Sequence, residues 1–221
     1  MKKYNVGIVG YGWVATAHIP AINATALGQV TAVCSSRKLD GAALSAQYGG
    51  PIRVYNDLDE MLANPEIHVV SLCGFPSQRL DQVRRAARAG KHLILEKPLC
   101  LSLKELRAMH QAVKRARVKT CVCFECRYAN QFQVIKTVLD NGLLGQVHYG
   151  EVDYYHGIGP WYAQFRWCRS KAEGGSSLLE AGCHALDAML YFADRPVEEV
   201  FAYSTKSAAE WAQDYEYDST S

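Results

Sequence analysis

Short apolar runs and longer amphipathic stretches take turns along the first half of this sequence. Runs at residues 6–9, 30–34, 69–73, 92–95 and 118–124 are rich in Val, Ile and Cys and bounded by glycines or polar turns, which is how strands buried on both faces read. Between them lie stretches of helical period, among them 39–48, 80–89 and 103–117. Strand and helix in strict succession require a parallel sheet with right-handed crossovers. The fold class is therefore α/β, with a Rossmann doubly wound parallel sheet expected over residues 1–125.

Beyond residue 127 the pattern changes. A helix over 131–141 with an Asn141-Gly142 stop, a long alternating strand over 147–156, an aromatic loop, another helix and a strand near 200–204 predict a partial α+β substrate domain over 126–221. Its sheet is expected to be open, mainly antiparallel and incomplete, because two strands do not make a stable open sheet. The polar tail 214–221 offers little to bury. The sequence reads as a C-terminally truncated piece of a longer protein.

Gly10-Tyr11-Gly12-Trp13-Val14-Ala15 follows the first run directly and opens a helix, the context in which a G-x-G-x-x-A motif points to a dinucleotide. Gly10 permits the tight turn, Gly12 lets a pyrophosphate approach the backbone, and Ala15 keeps the helix close to the sheet. The helix N-terminus, beginning with Trp13 and Val14, supplies amide donors and a favourable dipole. Pro20 should end or kink this helix early. Where an NAD site usually places an acidic residue, the end of the second strand reads Cys34-Ser35-Ser36-Arg37. Ser35, Ser36 and Arg37 suit a 2′-phosphate better than a carboxylate would. NADP is thus favoured over NAD, against the plainer reading that Arg37 starts the next helix in solvent.

Composition narrows the partners. The formal net charge is +2, with 49% hydrophobic and 21% charged residues, so nothing in the balance calls for nucleic acid or an anionic membrane. The basic runs around Arg84–Lys91 and Lys114–Lys119 sit at helical spacing and read as wet helix faces. No segment is long enough to span a bilayer, and the apolar stretch after Met1-Lys2-Lys3-Tyr4 reads as a buried strand rather than a signal core. The eight cysteines lack the spacing of a stapled secreted domain. A cytoplasmic protein with reduced thiols is expected. Cys121, Cys123 and Cys126 could in principle hold zinc or an iron–sulfur cluster, but alternation puts Cys121 and Cys123 on one strand face and no fourth ligand stands at a standard spacing. No metal is expected.

With the glycine cradle, Gly90-Lys91-His92 leading into Glu96-Lys97-Pro98, and Gly174-Gly175 followed by Glu180-Ala181-Gly182-Cys183-His184-Ala185-Leu186-Asp187, essentially the whole chain resembles the Gfo/Idh/MocA oxidoreductase family. The resemblance implies hydride transfer between a nicotinamide cofactor and a secondary alcohol of a sugar, polyol or cyclitol. It sets Lys97 near the nicotinamide and on the substrate hydroxyl, and makes His184 the acceptor of the hydroxyl proton. The chemistry agrees: an alcohol that loses hydride must also lose a proton, His titrates near working pH, and an ammonium stabilises the developing alkoxide. Glu180, four residues before His184 on an expected helix, would orient the imidazole or bind a neighbouring hydroxyl; the family more often carries Asp there. Cys73 and Glu96 join Lys97 as cofactor contacts at strand ends, although Cys73-Gly74-Phe75-Pro76-Ser77 departs from the family's Thr-Pro-Asn. Arg127 matches a family arginine at the domain junction, where it would touch substrate or brace the hinge, and His156, Trp161 and Arg166 lie in an aromatic loop suited to carbohydrate. His18 is expected to pack near the cradle, and Asp187 either to cap or face the helix surface or to serve in catalysis. A full-length form is expected to be a homo-oligomer. Two rivals remain, an NAD-dependent glycosidase of the same family and a catalytically silent dinucleotide sensor; Lys97 and His184 together argue against the sensor.

Overall fold

A computed structural model describes residues 3–157, 162 and 164–218. The chain divides between Cys123 and Phe124 into two compact units, two residues before the boundary expected from sequence.

The first unit is one parallel sheet of six strands: β1 (Tyr4–Val9), β2 (Gly28–Cys34), β3 (Arg53–Tyr55), β4 (Val69–Leu72), β5 (His92–Leu95) and β6 (Thr120–Val122). Their order is β3-β2-β1-β4-β5-β6, with every pairing parallel. The order reverses between β1 and β4, the switch point outside whose strand ends doubly wound sheets bind ligands. Five helices cross over: α1 (Trp13–Asn23), α2 (Gly41–Tyr48), α3 (Leu58–Ala63), α4 (Arg79–Arg88) and α5 (Leu103–Ala116). Both sheet faces are covered, which is why the strands read as near-continuous apolar runs. Val6 and Ile8 pack with Ala15 and Ile19 of α1 and Leu44 of α2. Val9, Val70, Leu72, Leu93 and Leu95 pack with Met61, Val83, Ala86 and Met109 of α3 to α5.

Local chemistry sets the helix ends. Asp40 caps α2 by accepting from the N–H groups of Ala42 and Ala43, and Gly49 ends it at φ +74°. At the start of α5 the Ser102 hydroxyl accepts from the Glu105 amide and the Glu105 carboxylate accepts from the Leu101 amide, so the two side chains satisfy two backbone donors at once. The strand β3 and the helix α3 escape the sequence reading: three residues are too few to show alternation, and six too few to show helical period. Pro20 does not stop α1, which runs on to Asn23. Thr16, whose carbonyl Pro20 leaves without an amide donor, lies on the exposed side of the helix, where water can satisfy it.

The second unit carries α6 (Asn130–Asp140) and α7 (Cys183–Ala193), with one π turn over Leu178–Gly182 leading into α7. The strands expected at 147–156 and 200–204 are not strands among the described residues. Their backbones find no ladder partner, and Tyr149, Tyr155, Val200, Phe201 and Tyr203 stay exposed, so the expected antiparallel sheet is absent from the described residues. The tail was misjudged as well. Tyr215 and Tyr217 are buried against Cys168, with Tyr162, Phe165 and Trp167 around them, and Arg169 pairs with Asp214 at 2.7 Å. Alternating tyrosines supply apolar area that a count of polar residues hides. Among the described residues, no helix is long and apolar enough to cross a membrane.

Candidate functional site

The first unit brings the expected cofactor residues to one edge of its sheet. Gly10, immediately after β1, has φ +85°, and a Cβ there would stand 2.9 Å from the Gly74 amide nitrogen. The turn is pressed against the loop after β4, so only glycine fits. At Gly12 a Cβ would meet nothing within 4 Å. That is the open approach a diphosphate needs. Gly12 stands at the N-cap of α1 with no side chain to cap it, and no acidic residue lies in the first turn, which suits the helix start to an anion. Ala15 is fully buried, Val14 half-buried and Trp13 exposed.

After β2 the chain turns through Ser35, Ser36 and Arg37. The buried Ser35 hydroxyl accepts from the Arg37 amide at 3.1 Å, so it serves the turn. Ser36 and Arg37 are exposed. Arg37 does not open α2, which begins at Gly41; its guanidinium donates to the Tyr11 carbonyl and stands 6.0 Å from the Tyr11 ring centroid. A cation is thereby held beside the glycine turn.

At the ends of β4, β5 and β6 lies a polar cluster centred on His18 of α1. Its Nδ1 meets the Ser71 hydroxyl at 2.9 Å and its Nε2 meets Glu96 Oε1 at 2.8 Å. Glu96 Oε2 accepts from the Lys97 amide at 3.1 Å. The fully buried Arg79 donates to the carbonyls of Glu96 and Gly74, fixing the backbone that carries the carboxylate. Hydrogen bonding to Cys123, Cys73 and Glu96 pushes the His18 pKa up to about 12, against the opposing effect of burial. Burial raises the Glu96 pKa, but bonding to His18 and the charges of His18 and Lys97 outweigh it and hold the carboxyl below its usual range. Burial also pushes the Cys123 thiol up, leaving Glu96 as the ionised partner at neutral pH. His18, expected only to pack, thus clamps the residue before Lys97. Cys73 follows β4 and Lys97, itself half-buried, follows β5.

The second unit centres on His184 in the first turn of α7, only 4% exposed. Glu125 Oε1 stands 3.6 Å from its Nε2 and Cys126 Sγ 3.9 Å from its Nδ1. Phe124 meets the ring edge-on and Tyr154 at a tilt, with centroids 6.2 and 5.5 Å away. His156 stacks on the same tyrosine at 5.6 Å and shares a 3.2 Å hydrogen bond with the Tyr162 hydroxyl. Arg127 gives two hydrogen bonds to Asp187, of 2.7 and 2.6 Å, so it braces the turn after Phe124 against α7, and Asp187 is the buried half of that pair rather than a surface residue. Glu180 falls in the π turn instead of the expected α-helix; single π turns recur at functional sites. Its charge raises the pKa of the Tyr162 and Tyr217 hydroxyls, though burial is the larger cause for each. Arg166 is exposed in a short 3₁₀ turn, Arg166–Arg169. Trp161 lies outside the described residues. Ser71, Arg79 and Glu125 had no motif to announce them; all three are found only through the contacts the fold creates.

Residues 4–124 match a family described as an oxidoreductase family with an NAD-binding Rossmann fold, and residues 132–220 match a GFO/IDH/MocA C-terminal domain. An uncharacterized oxidoreductase of Synechocystis sp. is 30% identical over 93% of this chain and 55% of its own length. A myo-inositol 2-dehydrogenase of Thermotoga maritima is 26% identical over 89% and 57%. The crystal structure of an aldose-aldose oxidoreductase from Caulobacter crescentus, complexed with glycerol, superposes with a TM-score of 0.84 at 26% identity, covering 98% of this chain and 65% of that one. The chain spans a little over half the length of these two curated relatives.

Proposed function

Because this chain belongs to the Gfo/Idh/MocA oxidoreductase family, we propose that it transfers hydride between a nicotinamide dinucleotide and a secondary alcohol of a sugar, polyol or cyclitol. The observation that carries the reading is the cradle: a positive-φ Gly10 locked against Gly74, open space over Gly12, and a helix start with glycine at its N-cap and no acidic residue in its first turn, at the switch point of the sheet. The relatives' names support the substrate class, one acting on myo-inositol and another on aldoses.

In this reading the dinucleotide supplies the hydride acceptor, and the chain's own groups manage charge and proton. The Lys97 ammonium stabilises negative charge growing on the substrate oxygen. The His184 imidazole receives the hydroxyl proton, and the Glu125 carboxylate stands 3.6 Å from its Nε2. Glu180 orients groups near the imidazole, and His156, Trp161 and Arg166 contact the carbohydrate, with Arg127 holding the frame they work from. Eight cysteines without the spacing of a stapled secreted domain fit a cytoplasmic setting, and a homo-oligomer fits the exposed aromatic and aliphatic side chains of the second unit.

Arg37 favours NADP over NAD. An Arg37→Ala variant should weaken NADPH binding about 10- to 100-fold, the worth of a charged hydrogen bond, and leave NADH nearly unchanged; equal losses for both would refute the assignment. The activity itself is tested by incubating the chain with a panel of inositols and sugars and following nicotinamide absorbance. Nitrophenyl glycosides run alongside separate oxidation from glycoside cleavage, since cleavage with no net change in absorbance belongs to the rival reading.

A further inference from the structure

Three donor atoms of different chemistry converge at the ends of β5 and β6. One ring nitrogen of His18, one carboxylate oxygen of Glu96 and Cys123 Sγ lie within 4.8 Å of one another, and His18 Nε2 meets Glu96 Oε1 at 2.8 Å. We propose that these three side chains form a binding site for a zinc-type divalent cation, with water completing a four-coordinate shell. The donors suit zinc, which takes imidazole, carboxylate and thiolate in tetrahedral sites.

The groups behind the donors are arranged as a metal site requires. A ligating histidine characteristically gives its other ring N–H to an oxygen, which fixes tautomer and ring orientation. Here Nδ1 faces the hydroxyl of Ser71 at 2.9 Å, and Ser71 is fully buried. The carboxylate is held likewise, with Oε2 on the Lys97 amide and its backbone carbonyl on Arg79. Both residues are therefore anchored through one atom and meet each other through the second, with Cys123 Sγ in the same group of donors. On binding, the Nε2 proton now shared with Glu96 and the Cys123 thiol proton pass to solvent, as ligation demands deprotonated donors. Nothing is oxidised or reduced.

Glu125, Cys126 and His184 form the other such group among the described residues. There the Glu125 side chain is 68% exposed, so its carboxylate is held less firmly than that of Glu96. The sequence had grouped Cys123 with Cys121 and Cys126; the fold groups it with His18 and Glu96 instead. The site lies within the first unit and does not depend on the dinucleotide reading.

The test is titration of the reduced chain with cobalt(II) alone, watching for the thiolate-to-cobalt charge-transfer band. One equivalent should produce it. Cys123→Ser should abolish the band, Glu96→Gln and His18→Gln should weaken binding, and Ser71→Ala should weaken it by about 10- to 100-fold through loss of the supporting hydrogen bond. Cys126→Ser should leave it intact. Far-ultraviolet circular dichroism checks that each variant is folded, and Glu96→Gln carries the test if Cys123→Ser is not. Absence of the band in the unmodified chain, or a band that survives Cys123→Ser and disappears with Cys126→Ser, would overturn the assignment.

Discussion

Lys97→Ala is expected to lower polyol oxidation about 10²- to 10³-fold, the usual cost of removing one group that stabilises a developing oxyanion. The dinucleotide should still bind, because the cradle owes nothing to this ammonium: Gly10, Gly12 and the start of α1 are set by backbone geometry and by the packing of Ala15. NADPH titration by fluorescence, run beside the rate assay, separates the two effects. A variant that loses cofactor affinity and turnover together would show Lys97 to be a cofactor contact and no more. Lys97→Arg is the informative companion. It keeps the charge but replaces a compact ammonium with a planar fork, and it should recover only a part of the rate.

His184→Gln should cost about 10²- to 10⁴-fold in turnover, the range for losing a positioned general acid or base. Glutamine keeps a polar group in the pocket among Phe124, Tyr154 and Cys126 while removing the nitrogen that takes the proton. The pH profile makes the test specific. If His184 is the proton acceptor, the ascending limb of the rate profile for oxidation must disappear in the variant, since the remaining route is proton loss to solvent. A variant with a lower rate but an unchanged limb would assign the imidazole to packing.

The first unit was legible because its signals are local and mutually consistent. Alternating buried runs and helical stretches yielded five of the six strands, and G-x-G-x-x-A directly after β1 yielded the cradle. What stayed hidden there is non-local. No spacing rule connects His18 with Ser71 and Glu96, which lie 53 and 78 residues away, or Arg79 with the Glu96 carbonyl. The Pro20 expectation erred because one missing helical hydrogen bond on a wetted face is a cost the buried face of α1 outweighs. The second unit was less legible for a different reason. Period-2 alternation over residues 147–156 marks a segment able to form a strand, but a strand exists only with a hydrogen-bonded neighbour, and alternation does not supply one. Conversely, the tail looked dispensable until Tyr215 and Tyr217 were seen to close over Cys168.

Deuterium transfer tests hydride movement most directly. The chain is mixed with NADP⁺ and with inositols and sugars deuterated at their carbinol carbons, and the nicotinamide ring is read by NMR. Deuterium should arrive at the C4 position of the ring in step with ketone formed on the substrate, faster than in Lys97→Ala. Conversion of a sugar or glycoside with no deuterium retained on the ring and no ketone released would contradict net alcohol oxidation.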